Sequence, residues 1–323
     1  MSDSRSTRLF QRPDATARPA GSRGLGQRRR GSWRAVTWVA VLGMALLLAA
    51  CSSLKLGYNN ADTLLVYSLD TYLDLDDTQE KLARERVREL LAWHRSTQLT
   101  QYARFLDDTE HKVGHGHVNA DDVLAFQRTV TDKMMKVGEH SAPDLARLAL
   151  TLQPAQVSHL AEKLAKDTAK ARREFTRSAG KETLEHRVKL FSERAESWFG
   201  PLNKEQLALV RASLATRPAG QQQWLDEREL RQREAVALLN RIVAEKPSEI
   251  VAANWLRAYF AQLAEPGDEA RRAAVAESRR NNAQLVAQLI NTTTPTQKAA
   301  LSRKLRGYSQ DFSTLASATG GRG

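Results

Sequence analysis

Three histidines stand within seven residues, at His111, His115 and His117. His111 and His115 are four apart, so on a helix they would offer two imidazoles to a metal ion from one face. Gly114 and Gly116 argue instead that the helix has ended and that 113–117 is a loop. The nearby anionic side chains are Asp107, Asp108 and Glu110. A di-iron bundle needs paired Glu-x-x-His motifs on facing helices, and the chain offers only Asp108-x-x-His111. Asp74, Asp76 and Asp77 lack the glycine and the distal glutamate of a calcium loop; capping a helix and complementing its dipole is the simpler role. His94, beside Trp93 on an apolar stripe, reads as a satisfied core histidine. No Gly-x-Ser-x-Gly, P-loop or dinucleotide fingerprint occurs. These residues point to no enzyme, no metal and no cofactor.

The elements that would carry any site are helices. Ala83, Val87, Leu90/Leu91, His94, Gln98, Tyr102 and Phe105/Leu106 recur at steps of three and four, as do Val157, Leu160, Leu164, Ala171 and Phe175. Leu184, Val188, Phe191, Ala195 and Trp198 make the cleanest stripe. Such spacing gathers apolar groups on one helix face. No alternating β-branched run competes, so the chain is expected to be all-α, a multi-helix bundle or layered helical hairpins. Seven prolines after residue 51 (Pro143, Pro154, Pro201, Pro218, Pro247, Pro266 and Pro295) fall between stripes or at their first turns. A proline inside a helix costs about 3 kcal/mol, so they mark boundaries. The expected helices are 61–74, 77–111, 120–138, 142–151, 154–178, 181–199, 204–216, 220–245, 249–264, 268–290 and 295–317, with a disordered tail over 318–323. No 34-residue tetratricopeptide period appears.

One local pattern recurs at four helix starts: Leu75-Asp76-Asp77-Thr78-Gln79, Leu152-Gln153-Pro154-Ala155-Gln156, Leu202-Asn203-Lys204-Glu205-Gln206 and Thr293-Thr294-Pro295-Thr296-Gln297. In each, a polar residue (Asp76, Gln153, Asn203, Thr294) stands at the N-cap and a glutamine at N3. Two copies carry proline at N1. This is capping-box chemistry, worth about 1 kcal/mol per cap. Gln153 is a poor N-cap, so its copy is the weakest. Ordinary capping explains the pattern; the copies are also similar to the Leu-Thr-x-x-Gln motif of Spy-type periplasmic chaperones. That likeness implies a small all-helical protein holding unfolded clients on a concave surface, although none of the four copies reads Leu-Thr.

The first 51 residues carry processing information. Nine arginines stand among residues 1–34, and the uncharged run 35–50 follows. Sixteen residues are short for a bilayer span of roughly 20 and suit a signal h-region. Leu48-Ala49-Ala50-Cys51 after it resembles the bacterial lipobox. The resemblance implies cleavage before Cys51 and acylation of its thiol, so 1–50 is a signal peptide with a long basic n-region. Ser52, where lipoproteins retained at the inner membrane carry Asp, implies the periplasmic face of the outer membrane. Cys51 is the single cysteine of the chain, so no internal disulfide can form. The long head admits two readings, a start codon set too far upstream or a genuine disordered head. Arg28-Arg29-Arg30 touches on twin-arginine export, but Gly31-Ser32-Trp33 does not continue that motif.

The chain's formal charge of +12 belongs mostly to this head. Without its nine arginines and two aspartates, 40 basic and 35 acidic residues remain. That is a mixed surface, not a nucleic-acid footprint. Basic faces such as Arg84, Arg86 and Arg88, or Arg271, Arg272, Arg279 and Arg280, have acids interleaved and read as solvated.

The opening of the mature chain carries one more resemblance. Leu56-Gly57-Tyr58-Asn59-Asn60-Ala61-Asp62, then Tyr67, Tyr72 and Leu75-Asp76-Asp77-Thr78-Gln79, is similar to an uncharacterised family of all-helical proteobacterial lipoproteins. Tyr58, Asn59, Tyr67, Tyr72 and Gln79 match its pattern; packing of the first hairpin would explain the tyrosines. The expected organisation is a signal peptide (1–50), a lipidated N-terminus and linker (51–60), and a helical domain (61–317). The expected function is a non-enzymatic envelope lipoprotein, held in the bilayer by acylated Cys51, whose helical surface binds a protein partner or unfolded client. A lipid- or small-ligand-binding lipoprotein is the alternative.

Overall fold

The computed structural model describes residues 54–179, 184–217 and 220–318. The segment 1–50 expected as a signal peptide, the residues Leu48, Ala49 and Ala50 expected as a lipobox, the expected acyl site Cys51 and the tail beyond Ala318 lie outside the described residues. Within them the chain is all-α and no strand occurs. Eleven helices follow one another: α1 (Ala61–Leu73), α2 (Asp77–Thr97), α3 (Leu99–His115), α4 (Ala120–Thr151), α5 (Pro154–Ala179), α6 (Leu184–Phe199), α7 (Lys204–Ala215), α8 (Gly220–Glu245), α9 (Glu249–Ala264), α10 (Glu269–Asn291) and α11 (Pro295–Ser317). A helical stretch over 54–59 leads into α1, where the sequence suggests a linker to residue 60.

Three expected boundaries are corrected. The helix expected over 77–111 is divided at the buried Gln98. The division is a bend: Gln98 N–H still donates to His94 O at 2.9 Å, and Tyr102 N–H to Gln98 O at 3.0 Å. The glycine-rich segment does not end α3 at residue 111; helix continues through Gly114 to His115. The stretches 120–138 and 142–151 are one helix, with Pro143 in its interior. Tertiary packing outweighs the local cost there. Gly138 lies against the Phe260 ring of α9, so close that an added Cβ would stand 3.1 Å from it. Ala142 and Ala146 are fully buried in the same layer, with Ala252, Ala253 and Leu256 of α9.

The packing order reveals two similar halves. In the first, α1 packs on α2 and α5, and α2 on α4. In the second, α6 packs on α7 and α11, and α7 on α10. Replacing α1, α2, α4 and α5 by α6, α7, α10 and α11 preserves every one of these neighbours. Each half has its own apolar core. Leu73, Ala83, Leu148, Leu152, Val157 and Leu160 fill the first; Ala195, Phe199, Leu202, Val210, Leu289 and Leu301 are central to the second. The remaining helices tie these halves together: α3 runs along α11, while α4 also packs on α9 and α10, and α8 on α5.

No described helix is long and apolar enough to cross a membrane.

Candidate functional site

The four cap glutamines meet in two pairs. Gln79 Nε2 donates to Gln156 Oε1 at 3.1 Å, and Gln156 Nε2 returns the bond to Gln79 Oε1 at 2.7 Å. Gln206 and Gln297 exchange two bonds of 2.9 Å. Each amide oxygen also accepts its own N-cap N–H: Asp76, Gln153, Asn203 and Thr294, at 2.9–3.1 Å. Each amide nitrogen also donates to the carbonyl two residues before its partner's N-cap. These acceptors are Thr151 and Asp74 in the first pair, and Thr292 and Pro201 in the second. A primary amide has two donors and two acceptor sites, and all are used. The arrangement therefore locks two helix entries together without an unsatisfied buried amide.

The caps around these pairs differ in completeness. Asp76, Asn203 and Thr294 complete full capping boxes with Gln79, Gln206 and Gln297. At Gln153, the N3 glutamine reaches back to the N-cap N–H, while Gln156 N–H goes to the Gln153 main-chain oxygen. Asn119 and Asp122 form a further box at α4, which the glutamine pattern did not flag. Four residues beyond the glutamines stand Ala83, Leu160, Val210 and Leu301, all buried. The glutamine thus sets which helix face enters the core. An acid before each first cap repeats as well: Asp70 accepts Leu75 N–H at 3.1 Å, and Glu196 accepts Leu202 N–H at 3.0 Å. These sites are structural couplings and offer no reactive group.

Tyr58 and Tyr72 tie the first described helical segments to the helices behind them. Tyr58 Oη lies 2.9 Å from His94 Nδ1, and His94 Nε2 lies 3.2 Å from Tyr102 Oη. Arg95 stacks over the Tyr58 ring and donates to Asn59 Oδ1 at 3.3 Å. Burial pushes the Tyr58 phenol up to about 12, against a smaller opposing effect of Arg95. Burial also raises Tyr102 and lowers His94. Both phenols and the imidazole thus favour their neutral forms, which suits a hydrogen-bonded clamp between residue 58, α2 and α3. Tyr72 Oη donates to Asp167 Oδ2 of α5 at 2.9 Å. Tyr67, by contrast, points outward and is 69% exposed.

The histidine cluster resolves differently from its sequence reading. Because α3 continues to His115, His111 and His115 do share a face, and their rings stack with centroids 4.7 Å apart. His115 Nδ1 lies 3.1 Å from His111 O, and His117 Nε2 lies 3.4 Å from Asn291 Nδ2. Among the described residues, no three His, Cys, Asp or Glu side chains could hold a metal together.

A groove of about 490 Å³ is walled by α3, α4, α6, α10 and α11. Phe105 and Phe126 stack on one side, with centroids 4.9 Å apart. Phe191, Trp198 and Phe199 of α6 and Val286, Leu289 and Ile290 of α10 complete much of the wall. Leu301 and Leu305 reach it from α11, one and two turns beyond Gln297, so the second glutamine pair sets that wall's register. The rim is charged: Lys112 and Asp122 pair at 2.5 Å, with Asp108 and Arg194 beside the opening. Lys112 donates to Asp122 and holds that carboxyl below the usual carboxylate range. Its α6 stripe and Phe105 were legible as helix faces, but nothing local showed that they leave a gap between them.

Comparison with curated proteins and with solved structures gave no match. A family model described as a family of unknown function (DUF6279) matches residues 71–252, more than half of the chain. The match takes in Tyr72, Gln79, Gln156 and Gln206, and leaves Tyr58, Asn59, Tyr67 and Gln297 outside it. By that extent the chain belongs to this family of unknown function.

Proposed function

We propose that this chain is a non-enzymatic lipoprotein of a proteobacterial cell envelope whose groove binds an apolar segment of a protein partner or unfolded client. The observation that carries the reading is the groove itself. Aromatic and aliphatic side chains from five helices line it, and concave apolar walls with a few charged rim groups are what a bound apolar segment requires. The sequence supports the address: Leu48-Ala49-Ala50-Cys51 follows an uncharged run, so acylated Cys51 would hold the protein in the bilayer, with Ser52 favouring the periplasmic face of the outer membrane. A lipoprotein's two or three acyl chains anchor stably where one does not. The cap motifs' likeness to Spy-type chaperones favours a client over a fixed partner.

A second reading, a lipid or small apolar ligand, draws on the groove's size, which falls in the range of small-molecule sites. The test uses the acylated chain in phospholipid vesicles. Suppression of aggregation of a denatured client is measured for the wild type and for Ala125→Trp, which places an indole at the exposed rim. Protection that the variant loses supports the client reading. Equal protection by both, or none by either, argues against the groove. A lipid that co-purifies with the wild type in native mass spectrometry, but not with the variant, decides for the second reading.

A further inference from the structure

We infer that the outer face of α1 and of the turn of helix before it lies against the lipid head groups, so that the protein is held at the bilayer in one orientation.

The inner face of this segment is spent on the fold. Tyr58 is clamped by His94, Val66 and Leu73 are buried, and Tyr72 is tied to Asp167. The outer face carries Leu56, Leu64, Leu65 and Tyr67, which are 67%, 57%, 42% and 69% exposed. Leu56, Leu64 and Tyr67 are eight and three residues apart, a spacing that aligns them on one side of a helix. The residues exposed among them are Gly57, Asn59, Asn60, Thr63 and Ser68, so the exposed face is uncharged from 56 to 68. In a chain with 27% charged residues that is a marked gap. The one charge inside the segment, Asp62, lies 3.7 Å from Arg88 of α2. Before it, Lys55 pairs with Asp311 at 3.1 Å.

The chain's own length names the occupant. Three peptide steps separate Cys51 from Leu54, at most about 11 Å of extended chain. Acyl chains on Cys51 would therefore bring this face to the head-group region. There, leucines dip below the phosphates and a tyrosine spans the boundary, its ring in the apolar part and its hydroxyl in water. An uncharged apolar face over 56–68, bounded by the paired Lys55 and by the exposed Asp70, whose carboxylate accepts Leu75 N–H, fits such an interface without requiring anionic lipid. The inference rests on the acyl anchor proposed above.

The experiment uses the full chain, matured in cells and reconstituted in phosphatidylethanolamine–phosphatidylglycerol vesicles. Leu64→Cys is compared with Glu205→Cys, which stands exposed in the first turn of α7. Each introduced thiol is alkylated with a membrane-impermeant maleimide, on vesicles and after unfolding in guanidinium, and intact mass reports the acyl groups and the label on each molecule. The expected result for Leu64→Cys is alkylation at least tenfold slower on vesicles than in the unfolded chain, with Glu205→Cys slowed less than threefold. Equal slowing of the two variants on an acylated chain overturns the inference. Protection that disappears when vesicles are diluted to one chain each would show that a second copy covers the face, and overturns it too. If mass shows no acyl group, the anchor reading has failed; protection of the Leu64→Cys thiol that still rises with added vesicles keeps the face as a lipid contact, and its absence ends it.

Discussion

A glutamine side chain is an expensive group to bury, and three of the four cap glutamines, Gln79, Gln206 and Gln297, are buried almost completely. The cost is offset because every amide donor and acceptor finds a partner. Truncating one member leaves the other amide, an N-cap N–H and a carbonyl with lost bonds in a water-poor site. Gln206→Ala is expected to destabilise the fold by about 2–4 kcal/mol, from a handful of bonds worth about 1 kcal/mol each plus an orphaned amide. Gln297→Ala should cost a similar amount. The double variant should cost less than the sum by at least about 1 kcal/mol, because the second change removes a group already stranded. Urea unfolding of the three variants measures this coupling; strict additivity would mean that the pair is geometry without energy. The Tyr58–His94–Tyr102 clamp makes a different prediction. Burial lowers the His94 pKa in the fold, so the unfolded chain takes up the proton first as pH falls. The stability that neutral His94 contributes is fully present above about 6.5, the ordinary histidine value, and is lost as pH drops through the lower folded value. His94→Gln should flatten that part of the stability–pH curve, as measured by thermal unfolding between pH 7.5 and 5.

Helices are where sequence reading and structure agree best, and where they part for identifiable reasons. Stripes at three- and four-residue steps placed most helices to within a residue or two, because burying one face is what holds a helix in a bundle. The two failures around α4 concern glycine and proline, whose local effects can be overruled by packing. Gly114 and Gly116 did not stop α3 at residue 111, and Pro143 sits inside α4. Gly138 shows what was gained at the second place: the missing side chain lets α4 approach the Phe260 ring of α9. Gly138→Leu should therefore force these helices apart, costing about 1–3 kcal/mol despite leucine's higher helix propensity. A lowered midpoint with an unchanged m-value in denaturant would show this as a packing loss in the native state. The candidate site was less legible than the helices. The cap pattern located all four glutamines, but their pairing joins residues 77 and 91 positions apart, a distance no local motif reports. The groove depends on five helices not quite filling the space between them, which no single stripe encodes.

At the scale of the molecule, the two halves pose a question about cooperativity. Each consists of two helix pairs joined through a glutamine-locked entry, with the same neighbours and with matching buried positions at Ala83 and Val210 and at Leu160 and Leu301. The groove lies on the second half and borrows α3 and α4 for its other wall. Its shape therefore depends on the Gln206–Gln297 lock directly, and on the Gln79–Gln156 lock only through α4. Energetic effects of changes in the two locks should add, since the pairs share no partner, whereas changes within a lock should not. Combining Gln79→Ala with Gln206→Ala should cost the sum of the two single changes to within about 0.5 kcal/mol. Hydrogen exchange on the single variants reads the same logic locally. Loss of the first lock should raise exchange in α1, α2 and α5 and leave α10 and α11 protected; loss of the second should do the reverse. Equal loosening of both halves by either change would mean that the long α4, and not the paired glutamines, carries most of the coupling across the protein.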